Sequence, residues 1–268
     1  MTANEQLVQG VNQWLEKQGY PLEMQAASAF RAHGLRVRQS QHYLDAESQK
    51  SREIDLVCEV EDDYGLSSMR LVVECKSGKK PWVVFSSPHT LAGYNRLFAF
   101  GILSRDLRRV LSDSVVTLPK TLRWFNKEGR IGYSVAQAFT EGCDTPFAAL
   151  MSVMKASVWQ HAQKAGAQPR YLATFPAIVI DAPLFECFLD DQGKQQLMQV
   201  AEMDLFFSTH IGSYQETCVR IVTLSGLAAY CSGAKAECTA LSGLIERVVA
   251  AGRQALLRSA REVIDTDG

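Results

Sequence analysis

The chain has 268 residues, of which 47% are hydrophobic and 21% are charged, and its formal net charge is −1. This composition excludes intrinsic disorder, which requires low hydrophobicity and high net charge, and it lacks the overall excess of basic residues that marks many nucleic-acid-binding proteins. The charge is nevertheless uneven, because residues 1–130 carry 18 basic and 15 acidic side chains and residues 131–268 carry 10 and 14.

The hydrophobic spacing predicts a helix over residues 3–18, ended by Gly19, and a second helix from Pro21 to about His33, ended by Gly34. The elements predicted next are strand 35–43, a polar turn, strands 53–60 and 69–76 as an antiparallel hairpin, strand 81–85, and helices over about 90–103 and on to 111.

A similar mixture of helices and strands is predicted for residues 131–268. These are a helix over 146–164, strands 172–181, 184–189, 196–201 and 219–224, and one or two helices over 235–263. No linker rich in Pro, Gly or Ser separates the halves, which favours one continuous α/β domain over two independent domains. We expect a core over 1–130 with an α/β extension over 131–268 packed as part of the same domain.

The seven cysteines include no CxxC pair, so neither a disulfide framework nor a zinc ribbon is expected. Four of them, Cys58, Cys75, Cys187 and Cys218, lie in or beside apolar runs and are expected to be free and buried. The N-terminal segment lacks the apolar stretch of a signal peptide, and no apolar run is long enough to span a membrane. We therefore expect a cytoplasmic protein without a membrane partner.

The predicted hairpin concentrates charge on one face. Alternation along a strand places Ile54, Leu56, Cys58 and Val60 on one side and Glu53, Asp55, Val57 and Glu59 on the other. On the second strand, Leu71, Val73 and Cys75 oppose Val72, Glu74 and Lys76. Each strand therefore has an apolar face and a face on which charges gather at one end.

The register of the hairpin brings two carboxylates together. With the loop centred on Tyr64–Gly65, cross-strand neighbours are Glu59 with Arg70, Val57 with Val72, Asp55 with Glu74, and Glu53 with Lys76. Facing carboxylates repel unless a divalent cation accepts oxygens from both. A solvated sheet face with ion pairs is the alternative.

A further acid precedes this hairpin. Glu23, Ala26, Ala27 and Phe30 follow helical spacing, so Glu23 lies at the start of an apolar stripe, where an unpaired charge is costly. The alternative role of Glu23 is a favourable interaction with the positive end of the helix dipole.

These residues resemble the catalytic core of the PD-(D/E)XK nuclease superfamily, which has a restriction-endonuclease-like fold. The resemblance covers about residues 20–110 and rests on Asp55 and on the E-x-K tripeptide Glu74, Cys75 and Lys76; Ile54 stands where the name-giving proline would be. It implies a mixed β-sheet flanked by helices, with Mg²⁺ or Mn²⁺ held by Asp55, Glu74 and the backbone carbonyl of Cys75. It also implies that Lys76 orients water or stabilises charge and that Glu23 completes the site.

Several basic and aromatic side chains are candidates for contact with nucleic acid. They are Arg36, Arg38, Lys50, Arg52, Lys79, Lys80 and, as a base-stacking group, Trp82, for which burial in the core is the alternative. Arg105, Arg108 and Arg109 are either a second phosphate-binding face or a solvated helix end. The five histidines show no ligand spacing and are expected at the surface or at caps, and Asp181 is interpreted as a turn or cap residue.

The function expected from these observations is metal-dependent cleavage of nucleic acid, most directly DNA, in a prokaryotic defence or repair system. If Glu23, Asp55 and Glu74 face metal, residues 1–130 retain 18 basic against 12 acidic side chains. Two alternatives stay open: a catalytically inactive module that binds nucleic acid or a protein, and a ligand-regulated effector that forms homo-oligomers.

Overall fold

The computed structural model describes residues 2–62, 65–118, 120–125, 127–142, 144–163 and 170–266, and omits the side chains of residues 3, 16–18, 214 and 255–266. Five helices and eleven strands form within these ranges. The helices are α1 Ala3–Gln18, α2 Tyr20–Ala32, α3 Arg105–Asp113, α4 Thr145–Ala162 and α5 Leu227–Thr266. The strands are β1 Arg36–Asp45, β2 Lys50–Glu61, β3 Ser67–Lys76, β4 Trp82–Ser87, β5 Ile102–Leu103, β6 Ile131–Gln137, β7 Tyr171–Ile180, β8 Leu184–Leu189, β9 Gln195–Val200, β10 Glu202–Ile211 and β11 Ser213–Thr223.

All eleven strands belong to one mixed sheet, with the order β1-β2-β3-β7-β11-β10-β6-β4-β8-β9 and with β5 paired to β7. The β3 strand pairs in parallel with β7 over its whole length, from Ser67 opposite Tyr171 to Lys76 opposite Ile180. The first and second halves of the chain therefore contribute neighbouring strands to a single sheet. Four strands separate β4 from β3, although β4 follows β3 directly in sequence.

Helices cover both faces of this sheet and create two main apolar cores. On one face, α2, α3 and α5 pack with Leu56, Cys58 and Val73. On the other face, α4 packs with Ile54, Val57 and Val72. Mixed α/β architecture with helices on both sides of a sheet is thus confirmed. No helix in the described part of the chain is long and apolar enough to cross a membrane.

The hairpin of β2 and β3 has the predicted register. Val57 lies opposite Val72 and Glu59 opposite Arg70, although the predicted loop centre at Tyr64 lies outside the described residues. The ladder ends at Leu56 and Val73, one residue before Asp55 and Glu74. The predicted facing of Glu53 and Lys76 therefore lies beyond the paired region, and Glu53 pairs instead with His42 of β1.

The predicted alternation along β2 is wrong at its first step. Ile54 packs in the core under α4 with Val57, whereas Leu56 and Cys58 pack on the opposite face. In the pairing of β1 with β2, Asp55 and the opposite residue Ser40 are not paired, and Ser40 has a φ of +51°. Because the regular pleat is interrupted at this point, the side chains on either side of Asp55 do not follow a simple period of two.

A predicted helix over residues 90–103 is also wrong. This segment forms turns, a single 3₁₀ turn at Arg96–Phe98 and the short strand β5. Gly93 has a φ of +78°, which an α-helix cannot contain, and a Cβ on Gly101 would come within 2.9 Å of the Phe175 ring. Two further strands, β6 and β10, form where none is expected from the sequence.

Candidate active site

Asp55 lies where the β2–β3 ladder opens, and its side chain bridges the two strands. The carboxylate accepts a hydrogen bond from the backbone N–H of Cys75, with an N···O distance of 2.6 Å. Burial, followed by the charges of Glu74 and Glu23, raises the pKa of Asp55 to about 7, although the Cys75 N–H and Lys76 act in the opposite direction. The site therefore lacks positive charge for the acidic groups it brings together.

Glu74 and Lys76 form a close ion pair at the end of β3. Lys76 Nζ donates to Glu74 Oε1 at 2.5 Å, and the hydroxyl of Ser152 on α4 donates to Glu74 Oε2 at 3.0 Å. Glu74 is only 6% exposed, whereas the Lys76 side chain is one-third exposed. Burial by itself would lower the pKa of Lys76, but the charge and hydrogen bond of Glu74 outweigh it and raise the pKa. Lys76 thus stays an ammonium group with one side open to solvent.

Glu23 is in the first turn of α2, as predicted, and is partly buried. Burial raises its pKa, and the nearby carboxylates of Glu53 and Glu74 raise it further, while Lys76 lowers it. The fold therefore places Glu23 in the same electrostatic environment as the β3 residues. Its position at a helix N-terminus is compatible with this role as well as with the helix-dipole interpretation.

The donor atoms of this site fit a hard divalent cation. Asp55, Glu74 and Glu23 offer carboxylate oxygens without a competing histidine or thiolate, the ligand type that Mg²⁺ and Mn²⁺ prefer. Burial, and after it the neighbouring carboxylates, raise the pKa of Asp55 and of Glu23, and a bound cation would compensate these charges. In the part of the chain that the structure describes, however, no three His, Cys, Asp or Glu side chains are already arranged as a metal-binding group.

A cleft of about 500 Å³ lies between the start of α2 and the loop after β3, and its lining includes the sequence neighbours of Glu23 and Lys76 but not these two residues. Its lining includes Leu22, Ser77, Gly78, Lys79 and Asp181. Asp181 follows β7 directly and accepts hydrogen bonds from the Ser77 hydroxyl at 2.9 Å and the Gly78 N–H at 2.6 Å. The parallel pairing of β3 with β7 brings both ends to the same sheet edge, so Asp181 caps the loop that follows Lys76, consistent with its predicted cap role.

The basic residues predicted to contact nucleic acid are scattered in the structure, and several are already paired. Arg36 and Arg38 lie 2.9 and 3.4 Å from the buried carboxylate of Glu59, and Arg52 lies 3.0 Å from Asp45. Lys80 Nζ donates to the Phe139 carbonyl at 2.9 Å. The remaining members of the set are Lys50 at the exposed β1–β2 turn, Lys79 at the cleft, and the exposed Arg105, Arg108 and Arg109 of α3.

Trp82, His33 and His161 pack within the fold or cap a helix. Trp82 is 2% exposed in the core under α4, so the core alternative is right and the base-stacking role is wrong. His33 caps α2 through a contact of 2.8 Å between its Nδ1 and the Ala29 carbonyl oxygen. His161 lies mostly inside the fold beside Thr174, and burial lowers its pKa to about 4, so a surface position is wrong for this residue.

Two features near the site are absent from the sequence-based prediction. Ser152 contacts Glu74 across 78 residues of sequence, and its only signal was a polar residue within an apolar stretch of α4. The second is the role of β7, which supplies the strand beside Glu74 and Lys76. Both depend on long-range pairing, which local periodicity does not report.

Comparison of the chain with protein-family models, with curated proteins and with solved structures gave no match.

Proposed function

We propose that the chain is a metal-dependent nuclease of the PD-(D/E)XK type that cleaves phosphodiester bonds in DNA. The observation that carries the proposal is the convergence of Asp55, Glu74 and Lys76 where β2 and β3 part, with Glu23 acting on the same groups from α2. The restriction-endonuclease-like core would comprise α2 and the four strands β1, β2, β3 and β7. This proposal rests on the site chemistry together with the resemblance of the E-x-K tripeptide and its preceding aspartate.

The environment of Asp55 favours a functional site over an ordinary sheet face. Stable strand pairs place opposite charges together, as Glu59 and Arg70 do on the same hairpin with a distance of 2.6 Å. Asp55 instead has a pKa raised to about 7 by burial and by acidic neighbours. A purely structural residue would be more stable as an apolar or amide side chain, whereas a functional carboxylate is kept despite this cost.

In the proposed reaction, the carboxylates of Asp55 and Glu74 would hold the cation where β2 and β3 separate. When bound, Mg²⁺ supplies Lewis-acid chemistry, which withdraws charge from a phosphate oxygen and makes hydroxide accessible near neutral pH. The ammonium of Lys76 stabilises the negative charge that develops on the phosphate oxygens. The Cys75 N–H fixes the Asp55 carboxylate, and Ser152 fixes Glu74, so neither group needs to be ordered during the reaction.

Glu186 provides a matched control for Glu74. Both are strand glutamates with 5–6% exposure, and both accept hydrogen bonds from one basic side chain and one serine, which for Glu186 are Arg130 and Ser86. Glu186 lies on β8 and is not among the groups that act on Asp55. Replacing either glutamate with glutamine should therefore cause similar loss of stability, but only Glu74→Gln should remove catalysis.

The experiment incubates supercoiled plasmid and single-stranded DNA with Mg²⁺ or Mn²⁺ and compares the wild type with Asp55→Asn, Glu74→Gln and Glu186→Gln. We expect cation-dependent cleavage by the wild type and by Glu186→Gln, and a loss of at least about a hundredfold in the other two variants. Equal cleavage by all four proteins, or cleavage in EDTA, would overturn the proposal. Binding of DNA or a protein without cleavage would assign the chain to the inactive-module alternative.

A further inference from the structure

A buried ion pair lies in the sheet away from the proposed active site. Asp204 of β10 and Arg220 of β11 face each other in register and are 3% and 8% exposed. Arg220 donates from Nε and Nη2 to the two carboxylate oxygens at 2.8 and 3.1 Å, and Lys127 Nζ donates to Asp204 as well. Two cations thus share one buried carboxylate.

Arg220 and Lys127 of this cluster line a cavity of about 420 Å³. The mouth carries the exposed residues Lys120 and Arg123. One wall consists of Trp124 and Tyr230, whose rings are stacked with a centroid distance of 5.4 Å and an interplanar angle of 6°. The Arg220 guanidinium lies 4.7 Å from the Trp124 ring centroid, so the aromatic wall and this cation are in contact.

The charges that border the cavity are mainly positive. Four basic side chains contribute. The acidic groups near them are Asp204, which Arg220 and Lys127 already engage, Glu202 at the rim, and the buried Glu237 of α5, which interacts with Arg220. Glu202 Oε1 lies 3.9 Å from Lys127 Nζ and 4.0 Å from Arg220 Nη1 and is 39% exposed. Arg220 Nη1 makes no hydrogen bond to another described residue, so this nitrogen retains donors for a ligand.

The cavity wall is held in place by a second buried acid. Glu237 of α5 accepts the backbone N–H groups of Arg123 and Trp124 at 3.0 and 2.9 Å. These bonds attach the segment with Arg123, Trp124 and Lys127 to the long C-terminal helix. The cationic groups are thus positioned before any ligand binds, which reduces the entropy lost on binding.

We propose that this cavity binds a small phosphorylated ligand of mononucleotide size. A guanidinium and an ammonium that share a partly desolvated site favour a phosphate group. The volume lies in the range of small-ligand sites and exceeds the requirement of a phosphate alone. None of Glu23, Asp55, Glu74 and Lys76 lines the cavity, so this proposal does not depend on the nuclease assignment.

Isothermal titration of the full chain with AMP, adenosine and inorganic phosphate tests the proposal. We expect one saturable AMP site per chain, weaker binding of phosphate, and at least about tenfold weaker binding of adenosine. Stronger binding of phosphate than of AMP would show that the free anion is the ligand and would overturn the nucleotide-sized assignment. Equal binding of adenosine and AMP would also overturn the proposal, because phosphate would then not be recognised.

Arg220→Met is unsuitable as a test variant because it removes a buried charge and would impair folding as well as binding. We therefore use Lys120→Ala/Arg123→Ala at the exposed mouth, with Arg105→Ala/Arg109→Ala on α3 as the matched control. We expect the first pair to weaken AMP binding about tenfold without changing the melting temperature, and the control to bind normally. The proposal would be overturned if the two double variants bound AMP with equal affinity. It would also be overturned if Lys120 and Arg123 were required for binding a short DNA duplex but not for binding AMP.

Discussion

The backbone N–H of Cys75 donates to the Asp55 carboxylate at 2.6 Å, in place of the next backbone bond of the β2–β3 ladder. The side chain of Asp55 thus occupies the position at which the two strands separate. Glu74 and Lys76 flank Cys75 on β3, so one hydrogen bond ties together all three groups of the proposed site.

The contribution of Asp55 to the stability of the metal-free protein should fall as pH rises, because its folded-state pKa is about 7 and its ordinary value is 3.8. The neutral carboxyl group is favoured in the folded state, so its contribution is complete below about pH 4 and is lost as pH rises through about 7. Asp55→Asn removes this dependence. Between about pH 4 and pH 8, the unfolding free energy of Asp55→Asn should rise by about 2–4 kcal/mol relative to that of the wild type, as measured by denaturant unfolding in EDTA. A pH-independent difference would contradict the assigned environment of Asp55.

Divalent cations should stabilise the folded protein most at high pH, where Asp55 is ionised. We expect Mn²⁺ to raise the melting temperature at about pH 8 and to have little effect at about pH 5, because protonated carboxyl groups bind the cation poorly. Asp55→Asn and Glu74→Gln should lose this effect, and Glu186→Gln should keep it. Titration of free Mn²⁺ by electron paramagnetic resonance measures the binding directly, and an undiminished Mn²⁺ site in Glu74→Gln would contradict the model.

Lys76→Met should separate cation binding from cleavage. The ammonium is not a metal ligand, so Mn²⁺ binding should persist while cleavage falls by about 10²–10³-fold. Because Lys76 lowers the pKa of Asp55, its removal should also shift the pH-dependent stability loss to higher pH. Lys155→Met, which removes a lysine paired with Asp45 at 3.1 Å, is the control. Comparable cleavage by the two lysine variants would exclude a special role for Lys76.

Arg70 should be a main determinant of hairpin stability, because it is the least exposed partner of the buried Glu59. Arg70→Met leaves that carboxylate with two exposed arginines and the Ser68 hydroxyl, and should cost about 3 kcal/mol of unfolding free energy. Arg38→Met removes a partner of the same carboxylate that is 44% exposed and lies 3.4 Å away, and should cost less than about 1 kcal/mol. Denaturant unfolding in the presence of EDTA measures both, and equal losses would refute this ranking.

Asp181→Ala should release the loop that follows Lys76. It removes acceptors for the Ser77 hydroxyl and the Gly78 N–H, which should cost about 1–2 kcal/mol and increase hydrogen exchange in residues 77–80. Asp190→Ala is the matched control, because Asp190 accepts the N–H groups of Gln192 and Lys194 in the β8–β9 turn. Unchanged exchange in residues 77–80 of Asp181→Ala would show that the loop is held by other contacts.

The sequence by itself determined the local features of this protein. Gly19 and Gly34 ended the first two helices, and the apolar runs with matched charges set the register of β2 and β3, because these interactions involve residues close in the chain. The same register brought Asp55 and Glu74 together as the candidate metal ligands. Local periodicity failed where a glycine with positive φ interrupted a helical pattern, as at Gly93.

Only the tertiary structure decided the partners that come from distant sequence. It placed β7 beside β3, Ser152 against Glu74, and Trp82 in the core, and it assembled the cavity around Arg220 from the 120–127 segment, two strands and α5. It also showed that part of the small excess of positive charge in residues 1–130 is paired, because Arg36 and Arg38 form ion pairs with Glu59. These contacts depend on how the strands are ordered in one sheet, and strand order is a long-range property that hydrophobic periodicity does not encode.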